Sequence, residues 1–106
     1  MIKEWEKLEE YVRNRLTEIL PTYKTAGSGN RNNDADSKNE FWLAECKYTG
    51  RTDNINIRSK CIKKVEEQAL KHSKEWILIH RSRKHTTVTL DFDIFIEILK
   101  GEFPRK

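Results

Sequence analysis

The chain has 106 residues, of which 36% are charged and 36% hydrophobic, and Lys and Arg outnumber Asp and Glu by 21 to 17. That length bounds it to one domain spanning 1–106 with one modest core, and the formal net charge of +4 favours a polyanionic partner without establishing one. No apolar run approaches a membrane span, the first ten residues are too charged for a signal peptide, and two cysteines suit reduced thiols; a cytoplasmic protein with no membrane partner is expected.

Residues 2–20 read as a helix, because Trp5, Leu8, Val12, Leu16 and Ile19 recur at three- and four-residue steps before Pro21 stops the run. Residues 22–26 form a short strand candidate leading into Gly27-Ser28-Gly29-Asn30 and a polar stretch through Asn39, either a loop or a hairpin tip. Residues 41–49 are the clearest strand, aromatic-rich and ended by Gly50. A second helix is expected over 59–73, capped by Ser59. The run Trp-Ile-Leu-Ile-His-Arg at 76–81 suits the middle of a sheet, and residues 86–90 make a further strand. Asp91 or Asp93 caps a last short helix that Gly101 ends. The order α-β-β-β-α-β-β-α implies an α/β fold, a mixed central sheet with flanking helices in two or three layers.

Alternation along the 41–49 strand sends Leu43, Glu45 and Lys47 to one face and Trp42, Ala44, Cys46 and Tyr48 to the other. One face is expected to join the core and the other to present a carboxylate beside an ammonium. Asp36 lies just upstream, where a hairpin partner strand brings it beside Glu45. Two adjacent carboxylates repel and are best tolerated around a cation, and hard oxygen ligands favour Mg²⁺. A neighbouring lysine supplies positive charge to a transition state or orients a water, so the set suits phosphodiester hydrolysis. Alternating charge on a solvated sheet face is the plainer explanation of Glu-x-Lys. Glu9 falls at the margin of the helix-1 stripe, either as a third acidic group facing the site or as a helix-edge charge. Gln68 lies within the apolar stripe of helix 2, either satisfied in the core or partnered by an active site. The Gly-Ser-Gly loop exposes amides and the Ser28 hydroxyl, which suit a phosphate as well as a plain turn. The three histidines and two cysteines lack the paired spacing of a zinc site.

The acidic first helix, the Ala26-Gly27-Ser28-Gly29 loop, and Asp36 followed by Phe41-Trp42-Leu43-Ala44-Glu45-Cys46-Lys47-Tyr48-Thr49 together resemble the PD-(D/E)xK nuclease superfamily. Within it they are most similar to the archaeal and phage-type Holliday junction resolvases, over about residues 8–81. The resemblance implies a restriction-endonuclease-like fold, with Asp36 and Glu45 as ligands of Mg²⁺ (Mn²⁺ substituting) and the Cys46 carbonyl as a third. It further implies that Lys47 is the catalytic lysine, that Glu9 is the helix-1 glutamate with Glu10 as its one-residue alternative, and that Ser28 meets the DNA backbone near the cut. A homodimer acting on a four-way junction is implied as well, in the host-cell cytoplasm if the gene is a phage's. Two features depart from the pattern: Ala35 stands where the superfamily has proline, and Asp34 competes with Asp36.

Basic residues flank the expected cleft at Lys24, Arg31, Lys38 and Arg51, with further groups at Arg58, Lys60, Lys63, Lys64 and Lys71 and at Arg81, Arg83 and Lys84. Of these, Lys24, Arg31 and Arg51, with Ser28, are the expected DNA contacts. Charge so distributed suits phosphate contacts without base reading. The expected activity is therefore a structure-selective DNA endonuclease on branched junctions. The alternatives are a nicking or restriction-type nuclease and a catalytically silent DNA-binding module.

Overall fold

A computed structural model describes residues 2–25 and 36–103. Eight elements follow in the expected order: α1 Glu4–Thr17, β1 Tyr23–Lys24, β2 Ser37–Lys38, β3 Trp42–Tyr48, α2 Ser59–Lys71, β4 Glu75–Arg81, β5 Thr86–Thr89 and α3 Phe92–Leu99. The strands form one mixed sheet in the order β1-β2-β3-β4-β5, in which only β3 and β4 run parallel. Helix α2 is the crossover between these two strands, as a parallel pair requires.

The sheet is covered on both faces, so the layering is three-layer, and the expectation that one face of β3 is apolar and the other polar is corrected. Leu43 joins Val65 and Ala69 of α2 with Trp76 and Leu78, while Ala44 joins Leu8 and Val12 of α1 with Ile77 and Ile79. Strand β4 is buried along both faces from Trp76 to His80, as a continuous apolar run in a parallel pair should be. The face of β3 carrying Glu45 and Lys47 is thus apolar at Leu43 and polar only toward the strand's C-terminal end.

Helix α1 is shorter than its periodicity implies, ending at Thr17 rather than near residue 20. Its buried residues are Leu8, Glu9 and Val12; Trp5 is 41% exposed and Ile19 79%, so both ends of the stripe overhang the sheet instead of entering the core. Ser59 does not cap α2. The chain stays extended through Arg58, which takes the cap position without a side-chain cap bond, and Ser59 is already helical. Asp91, not Asp93, caps α3: its Oδ1 accepts from the amides of Asp93 at 2.9 Å and Ile94 at 3.2 Å. Gly101 closes α3 at φ +75°, a conformation glycine adopts without cost.

Candidate active site at the end of strand β3

The site begins with a turn. Asn39 is buried, and its Oδ1 accepts from the amides of Phe41 at 3.0 Å and Trp42 at 2.7 Å, while its Nδ2 donates to Thr22 Oγ1 at 3.2 Å. Lys74 Nζ donates to the carbonyls of Asn39 and Glu40. An Asn at the head of a tight turn organises the following amides in this way, and the sequence alone did not single it out. The turn sets the β2–β3 register at Ser37 opposite Ala44 and Lys38 opposite Leu43.

That register carries Asp36 to the edge of β3. Its Oδ2 accepts the Cys46 backbone amide at 2.7 Å, a short charge-assisted bond. The N–H and C=O of one residue in a strand point to the same side, so the Cys46 carbonyl also turns toward the Asp36 edge. Glu45 lies on the α2 face, 18% exposed at its side chain, with Lys47 Nζ at 3.5 Å from its Oε1. Burial, then the charge of Asp36, raises the Glu45 carboxyl to about 7 against the opposing pull of Lys47 and of Lys64 on α2. Burial also pushes the Cys46 thiol up, reinforced by Asp36, Glu9 and Glu45, so Cys46 remains a protonated thiol rather than a nucleophile.

Glu9 is buried on the α1 side of β3, near enough for its charge to act on Cys46, whereas Glu10 is exposed. Gln68 faces inward from α2 with a buried Oε1 that has no hydrogen-bond partner among the described residues. Lys24 and Arg51 are exposed, one on β1 and one in the turn after β3. Ser28, Arg31 and Asp34 lie outside the described residues, so the choice between Asp34 and Asp36 rests on the contacts of Asp36 alone. Arg83 and Lys84 both pair with Asp53, at 3.0 and 3.5 Å, which ties the β4–β5 turn to the loop before α2.

Among the described residues no three His, Cys, Asp or Glu side chains form a metal-holding group. The oxygen groups that meet at the end of β3 are the carboxylates of Asp36 and Glu45 and the Cys46 carbonyl. That set fits Mg²⁺, which binds through one or two carboxylates and leaves positions for water and substrate phosphate. A cation beside Glu45 would relieve both its burial and the repulsion of Asp36.

Residue chemistry did not point to His80, which the structure places on the same face as Lys47 through the β3–β4 register. It is 5% exposed, and burial together with the Lys47 charge lowers its pKa, leaving a neutral ring at neutral pH. Its only trace in the sequence was a histidine interrupting the apolar run of β4.

No family profile matches the sequence, and no curated protein matches it. Among solved structures, the fold is similar to that of Hjc from Archaeoglobus fulgidus, a Holliday junction resolvase from an archaeal hyperthermophile. The TM-score is 0.61 at 15% identity, covering 79% of this chain and 73% of that one. The mixed five-stranded sheet with three helices is thus an α/β fold of the restriction-endonuclease-like kind shared with that structure.

Proposed function

We propose that this chain is a PD-(D/E)xK-type endonuclease that hydrolyses phosphodiester bonds in DNA with a divalent cation, and that branched or four-way junctions are its substrate. The observation that carries the reading is the convergence of Asp36, Glu45 and Lys47 at the end of β3. A surface-charge explanation of Glu-x-Lys does not account for a second carboxylate close enough to raise Glu45 within a largely buried setting. The fold shared with the Hjc structure is in keeping with this reading.

Asp36, Glu45 and the Cys46 carbonyl would hold Mg²⁺, which supplies Lewis acidity toward a phosphoryl oxygen when bound. Asp36 fixes the strand end through the Cys46 amide, so the two carboxylates keep a constant relation to each other. Lys47, still 42% exposed, directs its ammonium charge toward an incoming phosphate or orients the attacking water. Glu9 adds negative charge from α1 and serves as a positioning residue for the site. Lys24 and Arg51 flank it as phosphate contacts, with Ser28 and Arg31 assigned the same role from sequence. A homodimer would present two such sites to one junction.

The test is incubation with a labelled four-way junction, a linear duplex and single-stranded DNA, with and without Mg²⁺. Mg²⁺-dependent cutting of the junction alone is expected. Cutting of every duplex would replace junction selectivity with a general nuclease, and binding without cutting in any cation would end the enzyme reading.

A further inference from the structure

Past Lys47 the parallel strands open into a cleft of about 360 Å³ that the carboxylate site does not use. Lys47 and Tyr48 form one wall, His80 another, and Asn56, Arg58 and Cys61 line the side belonging to the start of α2. The position follows from the topology: α2 leaves the C-terminal end of β3 and returns to β4, so its N-terminus stands over the carboxyl ends of both strands, where open α/β sheets place their ligands.

Two independent features give the cleft its chemistry. The first is the start of α2, a 13-residue helix with no side-chain cap bond at Arg58 and no acidic residue in its first turn. The Cys61 amide turns back to the Arg58 carbonyl at 3.0 Å, so the helix end contributes its dipole, and Arg58 and Lys47 add positive charge, with no carboxylate among the lining residues. The second is His80, 5% exposed, whose Nδ1 is buried without a hydrogen-bond partner among the described residues. A buried ring nitrogen without a partner calls for a hydrogen-bonding group, and His80 lines the cleft where one could sit. The Tyr48 ring folds back over Gly50, where a Cβ would collide with it, and so keeps the wall close to the strand end.

We propose that this cleft seats the phosphate of the nucleotide next to the scissile bond, held by Arg58 and a ring N–H of His80 at the positive end of α2. The inference rests on the nuclease reading and deepens it by giving the strand a path. Because Lys47 borders both the carboxylates and the cleft, the DNA backbone passes from Asp36 and Glu45 across Lys47 to the N-terminus of α2.

The experiment is a titration of the full chain in EDTA with thymidine 3′,5′-bisphosphate and separately with inorganic phosphate, read from the imidazole nitrogen resonances of His80. The exposed His72 and His85 serve as internal references. A saturable shift confined to His80 is expected, with the bisphosphate binding more tightly than inorganic phosphate. Arg58→Ala should weaken it about tenfold, the scale of one lost charge-assisted contact, while Lys7→Ala, which removes a remote exposed charge, should leave it unaltered. Since His80 is buried, His80→Gln could disturb folding, and the exposed Arg58 carries the decision. Stationary His80 signals, equal binding by Arg58→Ala, or inorganic phosphate binding as tightly as the bisphosphate would each overturn the proposal. No turnover is needed, so the two readings fail separately: a responding His80 in a protein that cuts no DNA leaves the cleft standing without the nuclease. Junction cutting with a silent His80 removes the cleft alone.

Discussion

Glu45 is a carboxyl group that burial and the charge of Asp36 raise to near neutrality. Its folded value of about 7 exceeds the ordinary 4.5, so between those two values the folded state binds more proton than the unfolded chain. Its contribution to stability is therefore complete below about 4.5 and is lost as pH rises through 7, on the order of 3 kcal/mol in all. In EDTA, Glu45→Gln should match the parent in thermal denaturation at acid pH and exceed it at pH above 8; equal melting at every pH would contradict the proton linkage. Asp36→Asn should lower the Glu45 pKa, read from its side-chain carboxyl carbon resonance, yet leave it above the ordinary value, because burial is the larger cause. An unmoved Glu45 in that variant would mean that Asp36 does not act on it. For chemistry, Lys47→Ala should abolish cutting in a single-turnover assay while junction binding survives; loss of both would make the lysine structural.

At the scale of elements, α2 is the part of the fold with two duties. Its apolar side, Val65 and Ala69, covers Leu43 and Leu78, and its start forms the cationic end of the cleft. Leu78 is fully buried, so Leu78→Ala should cost about 2–5 kcal/mol in chemical denaturation, whereas Leu70→Ala, at 79% exposure, should cost nothing measurable. A small loss at Leu78 would mean that the α2 packing is not as tight as described. Helix α3 gives a comparable test at its end: Asp91→Ala removes both cap bonds and should cost about 0.5–2 kcal/mol, with Asp93→Ala the milder change. The spans of these elements were readable because each rests on local signals, an apolar period or a strong punctuating residue. Where the readings failed, tertiary contact had the deciding part. The spacing of Trp5 and Ile19 matches the stripe, but full burial on α1 is confined to the stretch from Leu8 to Val12. Ser59 is a good capping residue in the wrong backbone conformation, because the chain is still extended at Arg58.

Across the whole molecule, apolar surface remains uncovered on one side. Phe92 and Leu99 of α3 are 70% and 67% exposed, and Phe95 and Ile98 border an apolar groove of about 430 Å³ that continues to Val88 and Ile19. Phe103 lines the same groove while packing its ring 4.9 Å from Trp42. Patches of this kind mark interaction surfaces, and the proposed homodimer would cover this one. Sedimentation equilibrium should find a dimer that the double change Phe95→Glu and Ile98→Glu converts to monomer with its helix content intact; a monomeric parent would remove the dimer from the proposal.

The opening convergence of Asp36, Glu45 and Lys47 divides along the same line. That Glu45 and Lys47 share a face, and that Cys46 does not, follows from the two-residue period of an extended chain and needs nothing beyond the sequence. The order of elements follows likewise from local periodicity and punctuation. Three things were settled only in three dimensions. The Asn39 turn sets the register that delivers Asp36 to the Cys46 amide. Burial on the α2 face, then the charge of Asp36, raises Glu45, which no exposed face would do. The parallel pairing of β3 with β4 sets His80 beside Lys47, more than thirty residues away in the chain. The burial of Glu45 and the pairing of β3 with β4 depend on how the whole chain packs, while the Asn39 hairpin, although local, rests on side-chain bonds to backbone amides that periodicity does not show.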